Sequence, residues 1–199
     1  MNYALFSVPV GTIYDLSRPV KENEDGELVS AIGDEGLYGQ ACQVRTLPGG
    51  VTAGGEHLPP DVAEVVSFYG YHGYVRRQEL QFVEEDALWD YLGGRLVLVD
   101  RATDVLSLPR VQGIRMLELE QGGVLRRLPE TSEEAEAHKG WAKVALLDGR
   151  TGYVRDVALE PVRYEMAAVF SQREGRAFDD ALADTWNTTA DRLVPEMLD

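Results

Sequence analysis

A nucleophile with its base, a metal cage or a pair of matched carboxylates is the chemistry to look for first, and this chain offers little of it. Its single cysteine, Cys42, lies in Gln40-Ala41-Cys42-Gln43-Val44, which reads as a strand. Reactive cysteines open helices or sit beside a histidine, so a buried, inert thiol is expected here, and one cysteine excludes an internal disulfide. His57, His72 and His138 are flanked by turn or acidic residues and lack ligand spacing, so neither a metal site nor a cofactor is expected. The acidic run Glu130 to Glu136, interleaved with Thr131, Ser132 and Ala135, reads as a solvated loop tip rather than an acid/base cluster.

The chemistry that remains is recognition. A formal net charge of −15 argues against nucleic acid, because a phosphate backbone would be repelled, and it equally opposes adhesion to an anionic surface. No run of about 18 apolar residues is present, so no membrane partner is expected. The segment Met1 to Val10 has no basic stretch and is interrupted by Pro9; it reads as a first strand. The cytoplasm is expected by default, an extracytoplasmic site if a leader has been removed.

The elements that must position any binding residues are written in a repeated phrase. His72-Gly73-Tyr74-Val75-Arg76 returns as Thr151-Gly152-Tyr153-Val154-Arg155, at an offset of 79 that also carries Ala63 onto Ala142 and Val65 onto Val144. Leu16-Ser17-Arg18-Pro19 answers Leu106-Ser107-Leu108-Pro109 more loosely, at an offset of 90. Two copies are too few for a solenoid, and two similar β units in tandem is the simpler reading. Strands are expected over 4–10, 36–46, 63–69 and 73–77, with Pro48-Gly49-Gly50 and Pro59-Pro60 in loops. In the second unit Leu96 to Val99 and Val124 to Leu128 read as strands, and Asp148-Gly149 as a hairpin turn with both residues at positive φ. Residues 83–92 suggest a short helix or an extended linker with Trp89 in the seam. After Pro161 the apolar residues Met166, Val169, Phe170, Phe178, Leu182 and Trp186 recur at three and four, an amphipathic helical pattern.

Trp141, Lys143, Val144, Asp148, Gly149, Gly152, Tyr153 and Val154 together resemble the end of a bacterial SH3-like (SH3b) domain. Leu37-Tyr38-Gly39-Gln40 followed by Val44 is similar to the strand entry of the same domain, and Val8-Pro9-Val10 to its first strand. Two such domains ahead of a helical connection resemble the N-terminal half of NlpC/P60 cell-wall peptidases, enzymes that cut between D-γ-glutamyl and diamino-acid residues of peptidoglycan stem peptides. The resemblance implies a mainly β protein: two small SH3-like β-barrels in tandem, at 1–82 and 95–162, joined by a linker at 83–94 and followed by a short C-terminal helical segment at 163–199.

That family's peptidase domain needs a cysteine at a helix start and a histidine downstream. No cysteine follows Cys42 and no histidine follows His138, so catalysis by this chain alone is not expected. Three readings follow. One is a non-catalytic binding or substrate-positioning module for peptidoglycan stem peptides or muropeptides. Another is a protein-interaction scaffold whose C-terminal helices meet a protein partner through Phe178 and Trp186. The third is the front part of a cysteine peptidase lacking its catalytic domain.

For the first reading, the groove of a small barrel lies between its long first loop and the loop before its last hairpin. Aromatic side chains supply flat contacts of low entropy there. The candidate ligand residues are Asp15, Tyr38, Tyr69, Tyr71 and His72 in the first unit and Trp141 in the second, with Tyr74, Val75, Tyr153 and Val154 read as core. Asp15 and Asp104 either meet the free amine of a peptide or cap their loops. Arg18 and Arg110 are the matching candidates for a ligand carboxylate.

Overall fold

The computed structural model describes residues 3–15, 21–22, 28–29, 32–47, 49–52, 54–55, 57–68 and 70–162. The amphipathic pattern after Pro161, with Phe178 and Trp186, lies outside the described residues, as does Tyr69. The first unit contains β1 (Tyr3–Phe6), β2 (Val10–Tyr14), a two-residue ribbon β3 (Lys21–Glu22) and β4 (Leu28–Val29), then β5 (Ile32–Leu37), β6 (Ala41–Val44), β7 (Val62–Ser67), β8 (His72–Arg76) and β9 (Leu80–Val83). Helix α1 (Glu85–Leu92) leads to β10 (Leu96–Val99), β11 (Thr103–Leu106), β12 (Arg115–Leu119), β13 (Val124–Arg127), α2 (Ser132–Ala137), β14 (Trp141–Ala145), β15 (Thr151–Arg155) and β16 (Leu159–Pro161).

The strands form two antiparallel seven-stranded sheets with the same order, β5-β2-β8-β7-β6-β1-β9 and β12-β11-β15-β14-β13-β10-β16. The chain is mainly β. Ala63 faces Val75 as Ala142 faces Val154, and Val65 faces Gly73 as Val144 faces Gly152, the register that an offset of 79 requires. The looser offset of 90 rests on Leu16 to Pro19, which lie outside the described residues; at the end of β2, Tyr14 on Tyr74 matches Leu106 on Tyr153, an offset of 92. Asp15 and Asp104 are therefore not equivalent positions. Two expected strands are also broken. The stretch 4–10 turns at Ser7 to Pro9, and 36–46 turns at Tyr38-Gly39.

Alternation of side chains along the strands explains the cores. Ala63, Val65 and Val75, like Ala142, Val144 and Val154, are completely buried, with the intervening Glu64 and Lys143 on the other face. Each unit fills its centre differently. Phe6 is buried against Gly11 and Gly36, where an added Cβ would stand 2.6 and 2.1 Å from the ring. The matching positions of the second unit are Val99, Thr103 and Leu119, a smaller side chain opposed by larger ones.

Both units close their final hairpin in the same way. Gly149 N–H donates to Leu146 O at 3.0 Å and Leu146 N–H to Arg150 O at 2.8 Å, with only Gly149 at positive φ (84°). That is a type I turn followed by a left-handed glycine, not the two-residue turn with both φ positive expected for Asp-Gly. Asp148 instead accepts from Arg150 N–H and pairs with its guanidinium. Gly70, at φ 90°, repeats the pattern between Ser67 and Tyr71.

The two sheets meet through their corresponding turns. Leu37-Tyr38-Gly39-Gln40 of the first lies on Glu120-Gln121-Gly122-Gly123 of the second, and both place a glycine at positive φ, Gly39 at 78° and Gly122 at 92°. Val124 N–H donates to Tyr38 O (2.7 Å), Gln40 Nε2 donates to Gly122 O (3.2 Å), and the Tyr91 hydroxyl donates to Gly39 O (3.0 Å). Helix α1 wedges into this seam with Leu88, Tyr91 and Leu92 buried beside Leu5, Ala41, Phe68, Leu96 and Val124. Burying a leucine as fully as Leu88 contributes about 2 kcal/mol. Trp89, expected in the seam, packs half-buried against this cluster.

Tyr38 is the peg of this joint. Its ring packs in the second unit's core with Val97, Leu125 and Leu146, and its hydroxyl accepts the Leu147 N–H at 2.7 Å. Tyr38→Phe removes that acceptor and leaves a half-buried amide unpaired. The expected cost is about 1–2 kcal/mol, measured as a lower urea midpoint with an unchanged slope; an unchanged midpoint would mean water replaces the hydroxyl.

The acidic run expected to be a loop tip is helix α2. Thr131 Oγ1 accepts Glu134 N–H (3.2 Å) while Glu134 Oε2 accepts Thr131 N–H (2.9 Å), a reciprocal capping box. The Thr131 amide, then Lys143 at 3.0 Å, hold the Glu134 carboxyl down to about 2, from an ordinary 4.5. A depressed folded value stabilises above the unfolded one and loses that stabilisation as pH falls. The stability difference between the protein and Glu134→Gln should therefore be full above pH 4.5 and vanish towards pH 2, as read by denaturation at a series of pH values.

Candidate functional site

An open groove of about 450 Å³ lies on the second unit, lined by Thr103, Asp104, Leu106, Val111, Arg115, Trp141 and their neighbours Gly113 and Arg155. Its floor is strand: β11 contributes Asp104 and Leu106, β14 opens with Trp141, and β15 ends with Arg155 directly opposite Trp141 in register. Its rim is the β11–β12 connection, 107–114, which exposes Leu108, Val111 and Ile114. Ser107 O–γ accepts the Ile114 N–H at 3.0 Å, and Ser107 N–H donates to Ile114 O, so the two ends of that connection are tied.

Trp141 is only 8% exposed, and the Arg155 guanidinium lies 4.4 Å from the centre of its ring. A cation over an indole face at the surface contributes about 0.5–1 kcal/mol and, more usefully, fixes a long side chain in one orientation. Arg115 Nη1 lies 3.2 Å from Glu118 and 3.7 Å from Asp104. The groove thus offers an aromatic wall, an apolar rim, one arginine held by acids and another held by a ring. It suits a short extended peptide better than a flat surface or an anionic polymer.

The first unit gathers another set. The Tyr71 hydroxyl and the Asp15 side chain lie over Gly33, 2.1 and 2.9 Å from where a Cβ would stand, so glycine is required there for the close approach. His72 Nε2 meets the buried Glu64 carboxylate at 2.8 Å, and its ring meets Tyr74 edge-on at 5.8 Å. Of the six residues picked as ligand contacts, Asp15 and Tyr71 are brought together and His72 lies on the neighbouring strand. Trp141 stands in the other unit. Tyr38, expected in a groove, is buried in the seam with 4% of its surface exposed; Tyr69 lies outside the described residues. Beside Tyr38 is a narrow crevice of about 150 Å³, bounded by Ser7, Gln81, Leu117, Leu147 and Arg150.

Arg155 was legible and overlooked. A hairpin that turns at 147–149 and pairs Ala145 with Thr151 must put Arg155 opposite Trp141 four residues down each strand. Tyr153 is covered by His138, whose ring meets it edge-on at 5.1 Å and whose Nδ1 meets Glu130 at 2.7 Å. Cys42 is fully buried on β6, where burial pushes its thiol up to about 12, so it is the inert thiol expected. Among the described residues no cluster of histidine, cysteine and carboxylate side chains has the geometry of a metal cage. Among them, too, no helix is long and apolar enough to cross a membrane.

No family model matches the chain. Over 137 residues it is 28% identical to dipeptidyl-peptidase 6 of Lysinibacillus sphaericus, an alignment that covers 68% of this chain and 45% of that protein. Among solved structures it is similar to an NlpC/P60 family protein from Bacillus cereus, with a TM-score of 0.52, 17% identity, and coverage of 79% of this chain and 55% of that one. An NlpC/P60 endopeptidase from Photobacterium damselae subsp. piscicida matches with a TM-score of 0.44 and 13% identity, covering 84% of this chain and 36% of the enzyme. The likeness to the Bacillus cereus protein shows a shared fold. The chain spans about half the length of the first two of these relatives.

Proposed function

We propose that this chain is a substrate-positioning module for peptidoglycan stem peptides, built from two SH3-like barrels and related in role to the front half of an NlpC/P60 endopeptidase. The observation that carries this reading is the Trp141 groove, an aromatic and apolar trough flanked by charges of both signs, which suits a zwitterionic peptide. The matching strand orders of the two sheets support the barrel assignment. The similarity to a dipeptidyl-peptidase and to an NlpC/P60 family protein supports the ligand class.

In this reading the chain supplies no nucleophile. Cys42 is sealed in a strand and its thiolate is strongly disfavoured. That the chain corresponds to about half of the dipeptidyl-peptidase and of the Bacillus cereus protein favours a version in which the module serves a peptidase domain, with the firm seam at Tyr38 and Gly39 keeping the two units in one fixed arrangement. The test is calorimetric titration of the chain with L-alanyl-D-γ-glutamyl-diamino acid beside a tripeptide of inverted stereochemistry. Saturable binding of the first alone is expected; absence of heat and of saturation with both would overturn the proposal.

A further inference from the structure

We propose that the second unit's groove reads a free carboxylate, and that Arg155, laid over the Trp141 indole, is the group that takes it. This rests on the peptide-binding reading above and names the feature of the peptide that the groove recognises. Arg155 stands at the exposed end of β15, opposite Trp141 in register, and its guanidinium lies 4.4 Å from the ring centre. Stacking on a buried ring removes much of the rotamer freedom that an arginine otherwise loses on binding, while its N–H edge remains able to donate two parallel hydrogen bonds. Among the described residues no carboxylate lies within ion-pair distance of Arg155. Arg115, across the same groove, is instead engaged by Glu118 and Asp104.

The lining also limits the ligand. Asp104 is a half-exposed carboxylate in the groove wall and meets a second negative charge unfavourably. One carboxylate near Arg155 with an ammonium or a neutral segment towards Asp104 fits this pattern; a polyanion does not. Leu106 and Val111 offer the intervening part of a peptide an apolar bed.

The first unit does not repeat the device. Val62 stands where the second unit has Trp141, so the corresponding Arg76 has no indole beneath it. Glu79 lays its carboxylate along the corresponding strand, accepting the Thr12 N–H at 3.0 Å. The stacked arginine of that unit is Arg77 on Phe82, at positions that correspond to Asp156 and Pro161. Among the described residues the device therefore occurs once, in the second unit.

The experiment is calorimetry of the full chain, Arg155→Gln and Arg155→Lys, with L-alanyl-D-γ-glutamyl-L-lysine and with the same peptide amidated at every carboxyl. For the unaltered chain the amide should bind about 10-fold or more weaker, the usual size of a charge-assisted hydrogen-bonded contact. In Arg155→Gln the two peptides should bind alike, both at the weak level, with one site per chain in every case. Arg155→Lys should recover part of the preference, since an ammonium keeps the charge and loses the fork. An Arg155→Gln protein that keeps the full preference for the free carboxylate overturns the inference and leaves the stem-peptide reading standing. If the unaltered chain binds neither tripeptide, the stem-peptide reading falls. The subsite is then decided with N-acetyl-tetra-L-alanine, whose C-terminus is its single carboxylate: binding lost in Arg155→Gln sustains it, and no binding overturns it too. The thermal midpoints of both variants, expected within a few degrees of the parent, guard against misfolding.

Discussion

Gly39→Ala is expected to cost several kcal/mol of stability, where Gly149→Ala costs about one. Both glycines hold positive φ, 78° and 84°, so both substitutions carry the same left-handed penalty of about 1–2 kcal/mol. They differ in surroundings. Around Gly149 nothing lies within 4 Å of an added Cβ. At Gly39 that atom would stand 2.0 Å from Val124 O and 2.7 Å from the Tyr91 hydroxyl. The obstacle is backbone of the second unit, which cannot swing aside, so the alanine forces the two turns apart and breaks the Val124-to-Tyr38 and Tyr91-to-Gly39 hydrogen bonds. Overpacking of this kind adds about 1–3 kcal/mol. Urea denaturation of the two variants side by side checks the difference. Equal midpoints would show that the seam yields and that the two units are only loosely joined.

The second large effect is a compensation. Gly36→Ala should destabilise by about 1–3 kcal/mol, because the new methyl meets the Phe6 ring at 2.1–2.3 Å in a fully packed core. Phe6→Val should cost a similar amount by leaving a cavity beside two glycines. Together they should cost less than the sum by about 1 kcal/mol or more, since the pair then imitates the second unit's Val99 and Leu119, which are both fully buried in the same places. Strict additivity would mean that the two positions do not share one space, and that the correspondence drawn between the units is wrong.

These residues also show what the sequence could reveal. The hairpin β14–β15 and its counterpart β7–β8 were legible, because an apolar alternation of period two and a turn glycine at fixed distance leave one register open. The turn at Tyr38-Gly39 was not. Leu37 to Val44 is apolar enough to read as one strand, and only the packing of two units explains why a tyrosine and a glycine interrupt it. Helix α2 could have been found, since Thr131 and Glu134 stand at capping-box spacing, but its density of acidic residues obscured the signal. The weak echo of Leu-Ser-x-Pro falls in its first copy on Leu16 to Pro19, outside the described residues. The connection from β2 to β6 is nine residues longer than that from β11 to β13, so the offset of 92 between β2 and β11 falls to 83 between β5 and β12.

The candidate site divides in the same way. Trp141 is a candidate as a flat aromatic contact of low entropy, and its stacking partner, Arg155, follows only from the hairpin register. Tyr38 is a candidate for the same aromatic reason, and its ring packs in the core of the second unit. The difference lies in what surrounds each ring, a strand-end arginine at an open groove for one and the core of the other unit for Tyr38, and single-residue chemistry does not distinguish them. Asp15 and Tyr71 do come together, but over a glycine contact created where β5 and β8 flank β2.

The most direct test of the account is a backbone and indole amide shift map of the full chain titrated with L-alanyl-D-γ-glutamyl-diamino acid. Saturable shifts are expected of the Trp141 indole N–H and of amides in 103–106, 113–115 and 153–155, with the seam at 38–40 and 122–124 unmoved. Shifts confined to other surfaces, or none at a saturating concentration, would contradict it.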